Sequence, residues 1–356
     1  MGKKNSWLNN NIKRIACLDH YTKPEKVEGA IKLDSNENFA LDNDFIAGIA
    51  AKAAKQVDLR EYPLGQIDEL YTQLAIYASV SEECVAVGSG SDQIIELLLS
   101  TLGSRRATVF SPTFSYFINR CQLHGIKVYE VPLKQDFTLN SKAFVKAAKR
   151  SDLVYICSPN NPTGNQLDRQ EIIEIIDSLE GRLVLIDEAY VDFADYSLSG
   201  EAIKRNNMIV VRTLSKAFGL AGARVGYLVS NREFVKIFRS RIQSPYPIST
   251  LSLAIASDVL THADQVRQTI KDVRSERGRV FARLAKIDGI KIFRSDANFI
   301  FIEAGKNYHA ISKTLKSNGI AVKLLGDIAD HKGCMRVTIG TREMNDKYLQ
   351  CIEQII

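Results

Sequence analysis

Between about residues 36 and 245, short apolar runs alternate with amphipathic stretches, and this alternation is the strongest pattern in the chain. The runs at 85–87, 107–110, 153–157, 183–186 and 208–211 are rich in Val, Ile and Leu and carry no in–out alternation, as expected of strands buried on both faces. Helical periodicity follows, for example at 93–102. Strands interleaved with helices predict an α/β unit whose mostly parallel sheet lies between helices. After Pro245-Tyr-Pro247, a long helical pattern at about 249–285 leads to a second group of elements. Strands at 290–293, 299–302, 321–324 and 335–339, a helix at 308–318 and a terminal helix predict a smaller α+β C-terminal domain. Residues 1–35 show little periodicity and end in a short strand at 30–33. The expected division is therefore an N-terminal arm (1–35), a large domain (36–245) and a small domain (246–356).

Composition narrows the class of protein without changing this picture. At 356 residues and 45% hydrophobic, the chain can bury a large core. The net charge of +6 comes from scattered Lys and Arg without interleaved aromatic platforms, which points to anionic small molecules and away from nucleic acid. Six cysteines with no Cys-x-x-Cys spacing and no zinc pattern with the five histidines predict reduced thiols in a cytoplasmic protein. No apolar run is long enough to cross a bilayer, and no signal-peptide core follows the start. Met1-Gly-Lys-Lys-Asn-Ser6 fits a short myristoylation pattern but reads as a polar terminus. There is no internal repeat.

Polar residues of unusual type stand at the ends of the apolar runs, where ligands of open parallel sheets collect. Gly88-Ser-Gly-Ser-Asp-Gln93 joins a strand to a helix, so its backbone N–H groups can hold a phosphate, with Ser91 or Asp92 capping the helix. A dinucleotide fingerprint is disfavoured because the third glycine is missing. Ser158-Pro-Asn-Asn-Pro-Thr-Gly164 is either a simple turn or a rigid loop offering Asn161 to a ligand oxygen. In Leu185-Ile-Asp-Glu-Ala-Tyr190, a carboxylate ending an apolar strand needs a cationic partner. A protonated pyridine nitrogen suits Asp187; a metal held by Asp187 and Glu188 lacks an evident third ligand. Lys216, after the run at 208–211, is either an exposed lysine starting a helix or a buried amine able to condense with an aldehyde. Burial, with Arg212 and Arg224 near in sequence, would favour its neutral form.

Together, Asn161-Pro-Thr-Gly164, Asp187-Glu-Ala-Tyr190 and Ser215-Lys216 with Arg224 resemble the signature of fold type I aminotransferases that use pyridoxal 5′-phosphate. The order and spacing match over nearly the whole chain. With Arg212-Thr-Leu-Ser-Lys-Ala-Phe218 and Gly333-Cys-Met-Arg-Val-Thr-Ile-Gly-Thr341, the segments are most similar to the histidinol-phosphate aminotransferases. The resemblance implies that Lys216 binds the cofactor covalently and moves the substrate proton, and that Asp187 pairs with the ring nitrogen. It implies further that Asn161 and Tyr190 hold the ring hydroxyl oxygen, and that Ser91, Asp92, Gln93, Ser215 and Arg224 hold the phosphate. Phe114 falls where the family usually has a stacking tyrosine; stacking survives that change and a hydroxyl contact does not. Tyr62 corresponds to a tyrosine that reaches the neighbouring subunit's cofactor, implying a homodimer with shared sites. Tyr21, Asn36 and Tyr246 align with substrate-side positions, and Arg336 with the arginine that grips the substrate anion. Lys323 departs from the family pattern, standing where a second arginine is common. The implied substrates are histidinol phosphate with 2-oxoglutarate, and imidazole acetol phosphate with glutamate. An aromatic-amino-acid aminotransferase, a phospho-amino-acid decarboxylase and, from another class, a non-catalytic binding protein of the same fold are the alternatives.

Overall fold

The computed structural model describes residues 7–21 and 28–355, so the myristoylation-like start lies outside the described residues. In chain order the strands are β1 (Ile31–Leu33), β2 (Val85–Gly88), β3 (Arg106–Ser111), β4 (Lys127–Pro132), β5 (Leu153–Cys157), β6 (Leu183–Asp187), β7 (Met208–Thr213), β8 (Gly226–Val229), β9 (Lys291–Ile292), β10 (Phe299–Glu303), β11 (Ile320–Ile328) and β12 (His331–Thr338). A seven-stranded sheet runs β2-β8-β7-β6-β5-β3-β4, and a five-stranded sheet runs β1-β11-β12-β10-β9. Strands β3 to β7 are mutually parallel, while β8 runs antiparallel to both β2 and β7. All five residues of β5 and all six of β7 are buried, which is why the sequence reads as apolar runs there, with Arg212 and Thr213 following the run at 208–211. Register pairs Cys157 with Asp187 and Asp187 with Val211, so the carboxyl ends of β5, β6 and β7 finish in one row. The loops carrying Asn161, Tyr190 and Lys216 leave from that row. Fold type I, with an α/β large unit and a smaller α+β unit, is the architecture observed.

Four local differences from the sequence reading have physical causes. The arm contains a helix, Trp7–Ala16, whose apolar side buries nothing against the rest of this chain. Strand β1 pairs in parallel with β11, which ties the arm's end to the smaller sheet. The pattern at 249–285 is two helices, Thr250–Thr261 and Ala263–Leu284, broken at His262, whose ψ of 27° leaves the helical range. Strands β4 and β8 carried no clear signal: β4 is a half-exposed edge strand with polar Lys127 and Glu130, and β8 has only four residues. Helix Thr250–Thr261 packs on the helices Asn43–Gln56 and Gln66–Ala78 of the first half, whereas Ala263–Leu284 touches both Val191–Phe193 and β10. Packed helices thus bridge the domain division we propose near 245. Among the described residues no helix is long and apolar enough to cross a membrane.

Candidate active site

Asp187 ends β6 with its side chain almost fully enclosed, 3% exposed. Tyr155 donates its hydroxyl to Oδ2 at 2.7 Å, and the Ala189 backbone N–H reaches Oδ1 at 3.0 Å. Burial pushes the carboxyl up to about 6, while these two hydrogen bonds pull the other way. No salt bridge to Asp187 forms among the described residues. Its neighbour Glu188 is taken up by the Ser197 hydroxyl and the Leu198 N–H, both at 2.6 Å, so the two carboxylates do not converge on a metal. Among the described residues there is no cluster of three or more metal-ligating side chains.

Lys216 faces the same cavity as Asp187, its Nζ donating to the Ser35 carbonyl at 2.9 Å and lying 5.7 Å from the centre of the Tyr190 ring. Desolvation lowers the amine to about 8; Arg336 and Arg224 add to the effect, and Glu37 and Asp92 oppose it. The sequence reading named Arg212 as a contributing cation, and the structure corrects this. Arg212 is buried in an ion pair with Asp192 at 2.5 Å, between Tyr77 and Tyr227, and Arg336 takes its place beside the amine.

The turn after β2 becomes an anion cradle because two glycines let three segments meet. Gly90 has φ 80°, and a Cβ there would lie 2.4 Å from Arg224 Nη2. A Cβ on Gly226 would lie 2.3 Å from the Ser91 amide. Arg224 donates to Ser215 Oγ and to Asp92 Oδ2, each at 3.3 Å. Its own φ of 55°, like the 58° of Asn36, is a left-handed conformation that costs on the order of 1–3 kcal/mol and persists where surroundings over-determine it. The N-terminus of helix Ser91–Thr101 adds a positive dipole end to this arginine. Gln93 does not line the cavity; its Oε1 accepts the Ser89 N–H at 2.6 Å and closes the turn.

At the opposite wall, the Tyr190 hydroxyl accepts from Asn36 Nδ2 at 3.0 Å and has a longer contact of 3.5 Å with Asn161 Nδ2. Asn161 Oδ1 accepts from Arg336 Nη1, and the Asp34 carbonyl accepts from Nη2, both at 2.6 Å. Arg336 Nε is buried without a partner. The guanidinium is therefore held in place with donor capacity left over, as recognition of an anion requires. Phe114 and Tyr21 meet edge to face at 6.3 Å, and Tyr116 joins them, 5.7 Å from Phe114.

Thus Tyr21, Asn36, Ser91, Asp92, Phe114 and Asn161 line one cavity of about 370 Å³ with Asp187, Tyr190, Ser215, Lys216, Arg224 and Arg336. Lys323 does not line it; it pairs with Arg336 across β11 and β12, its Nζ 5.9 Å from the Tyr21 ring centre. Burial and Arg336 both lower its amine. Tyr62 and Tyr246 also lie outside, stacked on each other at 4.2 Å, with Tyr62 69% exposed. The structure adds Ser35, Glu37, Tyr116, Cys157 and Thr213 to the lining. Adjacency to Asn36 and Phe114 was a usable signal for the first three.

The donor set fits pyridoxal 5′-phosphate. A buried carboxylate without a cation suits a protonated ring nitrogen, the glycine-lined turn with Arg224 suits the phosphate, and the lowered amine of Lys216 suits the aldehyde. The volume lies in the range of roughly 300–1,000 Å³ usual for ligand cavities.

Comparison with known proteins agrees with this geometry. The family model for aminotransferase class I and II matches residues 28–352. A histidinol-phosphate aminotransferase of Caldanaerobacter subterraneus subsp. tengcongensis is 34% identical over 337 residues, covering 93% of this chain and 95% of the relative. One from Pyrococcus furiosus is 34% identical over 85% of each chain. In fold, the chain is similar to the crystal structure of histidinol-phosphate aminotransferase from Sinorhizobium meliloti in complex with pyridoxal-5′-phosphate, with a TM-score of 0.85 and 24% identity over 96% of each chain. With a family model spanning both sheets and the motif residues gathered in one cavity, the chain belongs to the class I and II aminotransferases.

Proposed function

We propose that the protein transfers an amino group between L-histidinol phosphate and 2-oxoglutarate, giving imidazole acetol phosphate and L-glutamate. The observation that carries this reading is the guanidinium of Arg336, anchored by Asn161 and Asp34 with donor capacity to spare, in the cavity that also holds Lys216 and Asp187. The sequence relatives named above support the choice of substrate. The cofactor is pyridoxal 5′-phosphate, which when bound supplies an electron sink for the charge left on the substrate carbon.

Each residue's part follows from its position. Lys216 holds the cofactor between turnovers, and its neutral amine takes the proton from the substrate Cα. Asp187 keeps the ring nitrogen protonated, Asn161 and Tyr190 hold the ring oxygen, and Phe114 stacks on the ring. Ser91, Asp92, Ser215 and Arg224 hold the phosphate, with Gln93 bracing the turn. Arg336 grips in turn the carboxylate of glutamate and the phosphate of the other substrate, beside Tyr21 and Asn36. Lys323 contributes positive charge from behind Tyr21. The test is amino transfer from L-histidinol phosphate to 2-oxoglutarate, run beside phenylalanine and phosphothreonine. Preferred turnover of phenylalanine, or release of carbon dioxide from phosphothreonine, contradicts the assignment.

Arg336→Lys keeps the charge but loses the fork held by Asn161 and Asp34. KM for both glutamate and histidinol phosphate should rise about tenfold or more, with kcat less affected, in steady-state kinetics. A second expectation concerns pH. Only the neutral amine attacks an aldehyde, and a lysine near 8 has roughly three-hundredfold more of that form at pH 7 than one at 10.5. Uptake of pyridoxal phosphate by the apoenzyme, followed by absorbance, should therefore accelerate as pH rises and level off above about 8. A rate still climbing tenfold per pH unit at 9 contradicts the lowered value.

A homodimer in the cytoplasm completes the reading. Leu59, Tyr62 and Leu64 are 69–76% exposed within one segment, and Trp7, Leu8 and Ile12 protrude from the arm helix. Apolar side chains so displayed suit a second copy of the chain, and Tyr62 would then serve the partner's phosphate. Sedimentation equilibrium should give a dimer; a monomer removes Tyr62 and Tyr246 from the site.

A further inference from the structure

Tyr155 is a fully buried phenol in the middle of the large sheet, and its hydroxyl donates to the carboxylate of Asp187 at 2.7 Å, with the Cys157 thiol beside it. Strand geometry places it there: β5 pairs in register with β6, Cys157 opposite Asp187, so Tyr155 and Cys157 share the face of the sheet that carries Asp187. The ring is fixed by a parallel stack on Phe117, with centroids 3.9 Å apart and planes 11° apart. The second carboxylate oxygen is held by the Ala189 N–H at 3.0 Å. Two donors from two segments thus define the plane of this carboxylate.

We propose that Tyr155 is a positioning residue for the amino-transfer chemistry, orienting Asp187 and holding it ionised so that the cofactor's ring nitrogen meets a carboxylate already charged. The proposal rests on the assignment of Asp187 to that nitrogen. Simple packing does not account for the hydroxyl, since phenylalanine would fill the same stack without bringing a polar group into the sheet. A hydrogen bond donated to a carboxylate favours its charged form, and here it acts against the burial that pushes Asp187 up to about 6. Tyr155 itself remains a donor, because burial and the nearby carboxylate push its phenol well up.

The groups that face Asp187 are Tyr155 and Cys157 from β5, Tyr190 from the loop after β6, Asp92 from the phosphate turn, and Lys216. Burial pushes Tyr155, Cys157 and Tyr190 upward, so they stay neutral near pH 6. Asp92 opposes ionisation of Asp187 and Lys216 favours it. Neither touches the Tyr155 hydroxyl.

The test is equilibrium binding of pyridoxal 5′-phosphate to the apoenzyme between pH 5 and 8, comparing wild type with Y155F, D187N and the double variant. Losing the phenol donor raises the Asp187 midpoint, so Y155F should lose affinity at a higher pH. A shift of about one unit, and so about tenfold weaker binding at pH 6 with less change at pH 8, is expected. In the D187N background, Tyr155→Phe should leave the pH curve unchanged. A parallel loss at every pH, or the same loss in the D187N background, would mean that Tyr155 only packs, and overturns the proposal. A D187N protein with the affinity and pH curve of wild type overturns the assignment of Asp187 itself, a different result. Should Y155F fail to fold, a fluorotyrosine placed at 155 keeps the ring and donates more strongly; it should move the midpoint down, and an unmoved midpoint contradicts the proposal.

Discussion

Lys216→Ala should yield a folded protein that has lost amino transfer by at least about 10⁴-fold, the upper range for a single proton-transfer residue, because the same side chain also holds the cofactor. The amine sits on a loop at the carboxyl edge of the large sheet, beside two arginines, and is lowered to about 8. A lysine in that state is a poor contributor to stability. Removing it takes a desolvated cation away from Arg336 and Arg224, so the melting temperature should stay level or rise. Activity and stability thus move in different directions, which separates loss of chemistry from loss of fold. Cofactor should still enter through the phosphate cradle and Asp187, but its absorbance should match that of the free aldehyde. An active variant, or one that melts well below wild type, contradicts the role given to Lys216.

Asp187→Asn is expected to be nearly as damaging, for an electrostatic reason. A carboxylate about 4 Å from a ring cation, at an effective dielectric near 20, is worth on the order of 4 kcal/mol. That corresponds to roughly three pKa units on the nitrogen and about 10³-fold in rate if the ring charge is lost. The amide can still occupy the space and can still accept from Tyr155, but it cannot hold the proton. kcat should fall by about that factor, while the stability of the apoenzyme changes little, since removing a buried carboxyl offsets the loss of one of its two acceptor oxygens, the one facing the Ala189 N–H. Asp187→Glu lengthens the arm within a cavity wall already packed by Tyr155 and Ala189, and should recover little. A fall of less than tenfold in D187N would show that this carboxylate does not protonate the ring.

Much of the fold was legible because β5, β6 and β7 are buried on both faces and run apolar up to the polar residues Asp187, Arg212 and Thr213 at their carboxyl ends. The chemistry was legible for a related reason. Asp187 is costly where it stands, and such a residue at the end of an apolar run draws attention from sequence alone. What escaped depends on neighbours distant in the chain. Arg212 looked like a partner of Lys216 four residues away, but alternation along β7 turns it to Asp192, and Arg336, 120 residues further on, supplies the charge. Lys323 was grouped with the site because it stands where the resembled family commonly has a second arginine, yet its amine lies 5.9 Å from the Tyr21 ring centre and outside the cavity lining. Tyr155 was passed over because an aromatic residue in a β-run reads as core, which it also is. Edge strand β4 was missed because only Val131 of its six residues is buried, and the helix Trp7–Ala16 because its apolar residues meet no core within this chain.

The central claim is that Lys216 and Asp187 serve one pyridoxal 5′-phosphate held in a single cavity. The most direct test is borohydride reduction of the cofactor-loaded protein, followed by proteolysis and mass spectrometry. The account predicts one cofactor per chain, attached to the peptide containing Lys216, and no label in the Lys216→Ala variant. Stoichiometric attachment to any other lysine would contradict it.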